Sequence, residues 1–286
     1  MPSARDLQRQ INTVKNQARV FSALQTVSSV KFRKAEARVK RARPYAENVE
    51  QMMRGVAGSA SGDLPLLVGR EVNRVAICTL TADRGLAGGF NAQVLRRTVR
   101  LRNEKDEDAL QVASGRKAVA FFRFRRVRLA ETFTGFTDNP TYEKAREIGS
   151  SLTSLFEDEE ADEVYLVYNR FESALNQTPV VKRLLPVAEE GDEDEDDGAS
   201  YMEYVPDAET VLKRLVPRYV ETMVWQALLE GAAGEHGARM TAMKNATDNA
   251  NDLVRDLTLQ MNKARQAQIT QEILEIVGGA EALSAG

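Results

Sequence analysis

The chain opens on a repeat. Leu7, Ile11, Val14, Ala18, Phe21, Gln25, Ser28, Phe32, Ala35, Val39, Ala42, Ala46, Val49, Met53 and Val56 recur at alternating steps of four and three, and only Gln25 and Ser28 are polar. Apolar side chains at this period line one narrow seam of a helix, which predicts a helical partner rather than an ordinary surface helix. Pro44 lies inside the repeat and predicts a kink or break. The run G-V-A-G-S-A-S-G at 55–62 ends the element.

The pattern then changes. Apolar runs at 72–80, 110–113, 164–168 and 180–187 read as strands, the last with Pro186 at an edge or end. Stretches at 90–102, 115–122 and 142–156 read as helices between them. Strands alternating with helices predict a mainly parallel, three-layer α/β domain. Residues 189–197 are all carboxylate except Gly191, and such a run repels itself into a solvated loop. From 207 to 278 the helical pattern returns, with Asp207 as N-cap and Gly278-Gly279 as the stop. Met243, Ala246, Ala250, Leu253, Leu257, Gln260, Ala264, Ala267, Gln271 and Leu274 form its seam. Gly231, Gly234 and Gly237 within it predict close backbone approach or local softness. Two heptad segments at opposite ends of one chain predict an antiparallel coiled coil emerging from a central Rossmann-like α/β domain. The divisions are 1–58 and 207–286 for the coil, 70–187 for the domain and 188–206 for the acidic loop.

Composition narrows the chemistry. Among 286 residues there is one cysteine, Cys78, and one histidine, His236, which argues against a disulfide framework, a zinc site and a His-driven triad. Cys78 falls in an apolar strand and reads as a buried small hydrophobe, and His236 as a polar residue on a helix. No apolar run approaches the roughly 18 residues that span a bilayer, and no leader is expected before the first helical pattern. The loop at 83–91, D-R-G-L-A-G-G-F-N, follows a strand and opens a helix, where a phosphate loop would sit. Its glycines miss the dinucleotide spacing and no Lys-Ser or Lys-Thr follows, so a structural turn or partner contact is favoured over a nucleotide site. Residues 1–43 carry eleven basic side chains against Asp6 and Glu36, a sleeve suited to an acidic protein cavity or to nucleic acid. The net charge of −3 and the lack of interleaved aromatics argue against nucleic acid. Arg123, Arg125, Arg126 and Arg128 read as a solvated edge strand. An α/β enzyme with a coiled-coil arm and a basic coiled-coil adaptor are the rival readings.

Three segments resemble the gamma subunit of F-type ATP synthase. They are E-H-G-A-R-M-T-A-M-K-N-A-T-D-N-A at 235–250 with N-K-A-R-Q-A-Q-I-T-Q-E at 262–272, D-R-G-L with G-G-F-N at 83–91, and more loosely residues 11–34. The resemblance covers essentially the whole chain. It implies a non-catalytic rotor shaft without cofactor, coupling proton-driven rotation of a c-ring to conformational changes in catalytic beta subunits. Its partners would be the alpha, beta and epsilon subunits and the c-ring, with no nucleic acid and no membrane insertion. The implied location is the cytoplasmic side of a bacterial inner membrane. By position, Arg265 and Gln266 match an upper beta contact, and Arg239 with Leu24 a lower one. Arg84, Gly88, Gly89, Asn91 and Tyr204 match the region that meets epsilon and the c-ring. Ala87 stands where a cysteine is frequent, Val205 where an acidic residue is, and no paired-cysteine insertion is present.

Overall fold

A computed structural model of the chain describes residues 3–57, 66–67, 69–105, 108–187 and 208–284. The expected N-cap Asp207, the acidic run and Tyr204 lie outside the described residues. In order the elements are α1 (Ala4–Ala57), β1 (Val75–Leu80), α2 (Phe90–Lys105), β2 (Leu110–Ser114), α3 (Arg116–Phe124), β3 (Leu129–Phe133), α4 (Tyr142–Glu157), β4 (Glu163–Phe171), β5 (Gln177–Leu185) and α5 (Ala208–Ser284). The fold is mixed α/β, with long N- and C-terminal helices and a central, mostly parallel sheet. Two compact units divide it, one made of Met1–Val27 with Met240–Gly286, the other of Ser28–Arg239.

In the larger unit the strand order is β3-β2-β1-β4-β5, parallel except for the antiparallel β4–β5 pair. Alternation along β1 feeds two cores, because successive side chains point to opposite faces. Ala76, Cys78 and Leu80 join Ile148, Leu152 and Phe156 of α4, Ala46, Val49 and Met53 of α1, and Val220, Val224 and Leu228 of α5. Val75 and Ile77 join Val94 and Leu101 of α2 on the other face. Within this unit α1 and α5 run antiparallel: Arg43 bonds Glu230, further along α1 Met53 clusters with Met223, and earlier Phe32 approaches Gly237.

Several expectations change. Pro44 does not break α1; it faces outward while Val39, Ala46 and Val49 stay buried, so packing holds the helix across the missing N–H. Gly278 and Gly279 do not stop α5, which runs to Ser284, and neither takes the left-handed conformation that would turn the chain. Arg123 lies in the last turn of α3, and Arg125, Arg126 and Arg128 lie in the turn before β3 rather than in an edge strand. Gly231 has open space where a Cβ would stand, but a Cβ on Gly234 would meet the Phe90 ring at 2.9 Å. Close approach thus explains Gly234 and leaves Gly231 to helix propensity alone.

In the smaller unit the N-terminal seam matches the repeat. Leu7, Ile11 and Ala18 are buried, and Val14, Phe21, Leu24 and Gln25 are half-buried. The C-terminal seam is offset from expectation. Met243 and Ala250 are buried, and Thr247, Val254, Leu257, Met261 and Ala264 half-buried, whereas Leu253 is 47% exposed and Gln260 exposed. Of the expected series, positions 243, 246, 250, 257 and 264 are buried or half-buried, and from Leu253 onward the partner surface chooses which flank joins them. Thr247 and Thr258 donate their hydroxyls to Met243 O and Val254 O, so they sit at the seam without orphaned polar groups. From Arg265 to Ala280 every residue is exposed, Ala267, Gln271 and Leu274 included. That last stretch is about 24 Å of unpaired helix.

Candidate partner-contact site around Asp83 and Arg239

The parallel strands gather their C-terminal ends on one side of the sheet, and the 83–91 loop leaves β1 there. Asp83 organises it. Its carboxylate accepts from Gly135 N at 2.8 Å, Thr137 N and Oγ1 at 3.1 Å each, and Arg116 N at 3.0 Å. Burial opposes its ionisation, yet these four donors together hold the carboxyl below its usual value. Arg116 N opens α3, so the chain's own carboxylate occupies a helix terminus that would otherwise attract an external anion. Gly115, just before it, is fixed by conformation and space: its φ is 91°, and a Cβ would lie 2.1 Å from Thr81 O.

α5 closes over this loop. The Arg239 guanidinium donates to Gly85 O at 3.1 Å and to Glu235 at 2.5 Å, and it faces His236 Nδ1 at 3.4 Å. His236 donates from Nε2 to Asp138 O at 3.2 Å, and Asp138 pairs with Lys31 of α1. That tautomer leaves Nδ1 as the acceptor toward Arg239. Burial lowers the His236 pKa; Asp138 pulls it back up, while Arg239 and Lys31 push it further down. Burial raises the Glu235 carboxyl, with Arg239 opposing and Asp138 and Asp83 adding. For Asp138, burial is outweighed by Lys31, His236 and Arg84, and its pKa falls. One network therefore ties α1, the 83–91 loop, the 134–140 loop and α5 together.

The expected site residues fall into different settings. Arg239 is only 8% exposed, so it offers no free guanidinium to a partner; its neighbours within the chain use it. His236 is a polar residue on a helix as expected, but it is only 1% exposed: the i−3 spacing puts it beside Arg239, and its ring meets Asp138. Arg84, Gly88 and Gly89 are exposed. Asn91 is half-buried, and its Oδ1 accepts from Ala82 N at 2.8 Å, which ties it into the turn. Leu24 is half-buried, and Arg265 and Gln266 are exposed just past the last half-buried seam residue, Ala264. Reading the sequence missed Lys31, Asp138 and Glu235 as partners. Lys31 and Asp138 are 107 residues apart, and no local pattern pairs them. Glu235 and Arg239 stand at i and i+4, a spacing that does pair on a helix and was legible. Among the described residues no group of three or more His, Cys, Asp or Glu side chains could hold a metal ion, and no helix is long and apolar enough to cross a membrane.

A sheet traversed by two long helices, with its loops fixed to them by an ion pair and hydrogen bonds, defines a scaffold that presents helices and loops to other subunits. The family model described as ATP synthase matches residues 3–283, and the chain belongs to the ATP synthase gamma family. The chain is 68% identical to the ATP synthase gamma chain of Rubrobacter xylanophilus, covering 100% of both. It is 45% identical to that of an Anaeromyxobacter species, covering 99% of this chain and 100% of the relative. Its fold matches a chain in a Euglena gracilis mitochondrial ATP synthase OSCP/F1/c-ring structure with a TM-score of 0.73 and 20% identity, covering 99% of this chain and 95% of the other.

Proposed function

We propose that the chain is the central rotor shaft of a proton-translocating ATP synthase and that it makes and breaks no covalent bonds itself. In this reading it turns with a c-ring and an epsilon subunit, and its helices drive catalytic beta subunits of an alpha–beta hexamer through successive conformations. It is held peripherally on the cytoplasmic face of a bacterial inner membrane through those partners. The division of labour follows segments 1–58 and 207–286 as shaft, 70–187 as the α/β domain that meets ring and epsilon, and 188–206 as an acidic loop.

The observation that carries the reading is the far end of α5. Arg265 and Gln266 sit on an unpaired, fully exposed helix directly beyond the seam. A polar surface suits contacts made and broken in turn, because charge-assisted hydrogen bonds attract without deep interlocking. Leu24 contributes a half-exposed apolar spot to the same kind of surface. Arg239 enters through the Gly85 carbonyl it holds, which fixes the loop bearing Arg84, Gly88, Gly89 and Asn91; Tyr204 belongs to the same ring-facing group.

The test is a purified complex carrying Arg265→Ala with Gln266→Ala. Subunit stoichiometry should be normal and ATP turnover should fall roughly fivefold, for about 1 kcal/mol of lost contact at the rotary barrier. Unchanged turnover in a normally assembled complex would sink the rotary role of this pair. Failed assembly with normal residual specific activity would make it a docking contact.

A further inference from the structure

Residues 116–128 hold six basic side chains and no acidic one, in a chain whose net charge is −3. All six are exposed. Arg116 approaches Asp83 at 3.9 Å, and Arg125 lies 4.8 Å from the centroid of the Phe121 ring. Arg123, Arg126 and Arg128 have no ion-pair partner among the described residues. Among them stands Phe124, the last residue of α3 and 88% exposed, more than any other large apolar side chain described.

The turn is rigid rather than frayed. Arg125 N bonds Phe121 O at 3.1 Å, Arg126 N bonds Arg123 O at 3.0 Å, and Val127 N bonds Phe122 O at 3.0 Å. Phe122 is buried beneath it with Ala118 and Val119, and Val127 and Leu129 pack against that cluster. Arg126 takes a positive φ of 59° at the helix end, where glycine or asparagine is the usual and less strained choice. The chain thus carries a full side chain at a backbone position that disfavours any Cβ, though the helix C-terminus itself favours a cation. The turn enters β3 at its N-terminal end, and in a parallel sheet that is the end opposite to Asp83, Gly115 and Gly135. The 123–128 turn is therefore separate from the Asp83–Arg239 network, whereas Arg116, at the other end of α3, belongs to it.

We propose that the 123–128 turn docks on the anionic lipid headgroups of a bilayer, a contact beyond the rotary reading and independent of it. Each guanidinium presents a planar fork that matches phosphate oxygens two at a time. Phe124 enters the boundary between headgroups and acyl chains, where aromatic side chains are favoured. A nucleic-acid duplex would supply phosphates but keeps its bases stacked away from Phe124, a single strand would stack only one base on the lone ring, and an acidic protein would need an apolar socket placed among its carboxylates. Charge attraction near an anionic surface gives each basic residue about a fivefold gain and fades over a Debye length, so the contact is reversible and salt-sensitive.

The full chain should co-sediment with vesicles of phosphatidylglycerol and phosphatidylcholine, remain free with phosphatidylcholine alone, and lose binding as salt rises. Arg123→Gln, Arg126→Gln and Arg128→Gln together should weaken it about a hundredfold. Phe124→Ser should weaken it about tenfold. Arg33→Gln with Lys34→Gln and Arg41→Gln, three exposed changes on α1, should leave it within about twofold, as charges outside the docking turn contribute little. Circular dichroism checks that each variant keeps its helix content. Equal binding to neutral vesicles, an unaffected triple variant of the turn, or equal loss in the α1 variant would overturn the proposal. Capture by soluble polyglutamate or RNA, with anionic vesicles left unbound, would overturn it in favour of a protein or nucleic-acid partner.

Discussion

Two stretches of α5 contrast within one helix. From Tyr219 to Gly237 nearly every residue is buried, on all sides, because α1, α4 and the sheet surround it. From Met240 onward only one stripe is buried, and from Arg265 to Ala280 nothing is. Helical geometry is the same in both, so backbone hydrogen bonding cannot distinguish them. The difference is the number of apolar partners, and it teaches where stability resides. The larger unit is held by a three-layer core; the smaller one depends on a seam of Leu, Ile and small residues that buries little area per turn.

The contrast breaks most visibly in the core. Phe156 of α4 is fully buried in the core shared with the sheet, α1 and α5, and Phe156→Ala should cost about 3–5 kcal/mol by chemical denaturation. A loss below about 1 kcal/mol would mean that this core is loosely packed.

The seam should respond less, and locally. Ile11 is 2% exposed, so Ile11→Ala should cost about 2 kcal/mol. The loss should appear as faster amide exchange in 240–264, with the sheet unaffected, since a weak unit opens by itself. The matched change Ile276→Ala, at a side chain 72% exposed, should stay within about 0.5 kcal/mol. Equal effects at the two isoleucines would erase the distinction between paired and unpaired helix.

The smallest effect concerns pH. His236 is the chain's one histidine, so its imidazole gives a single resonance. Its folded pKa lies below the unfolded 6.5, because burial and the Arg239 and Lys31 charges disfavour the cation. The unfolded chain then binds the proton more readily. Stability from this group is present above 6.5 and is lost as pH falls through 6.5 toward the folded value. Glu235 has the opposite sign: its raised folded pKa favours the native state as pH falls through that value toward 4.5. The resonance should titrate with a midpoint below 6.5, and His236→Gln should flatten the decline just under 6.5. A midpoint above 6.5 would show that Asp138 outweighs burial.

Much of this was legible beforehand. The order of the elements apart from β3, the N-terminal seam with its two polar steps, and the turn character of the 83–91 loop follow from local pattern; β3 (Leu129–Phe133) was missed because its middle three residues are exposed and carry no apolar run. The role of Arg239 did not. Its motif marks it as a contact residue, yet packing turned its guanidinium inward, because Gly85 O, Glu235 and His236 needed a donor in a closed space.

The sequence by itself determined periodicity: where helices and strands lie, which face of each is apolar, and that two helical seams stand at the ends of one α/β domain. Periodicity acts within a few residues, so it is written locally. Only the tertiary structure decided which flank of the C-terminal seam is buried, that α1 continues through Pro44 and α5 through Gly278, and that Lys31, Asp138, His236 and Arg239 meet. Each of those depends on the surface brought opposite. Burial against that surface outweighs a single missing hydrogen bond in α1, and it sets which side chains must find partners in the network.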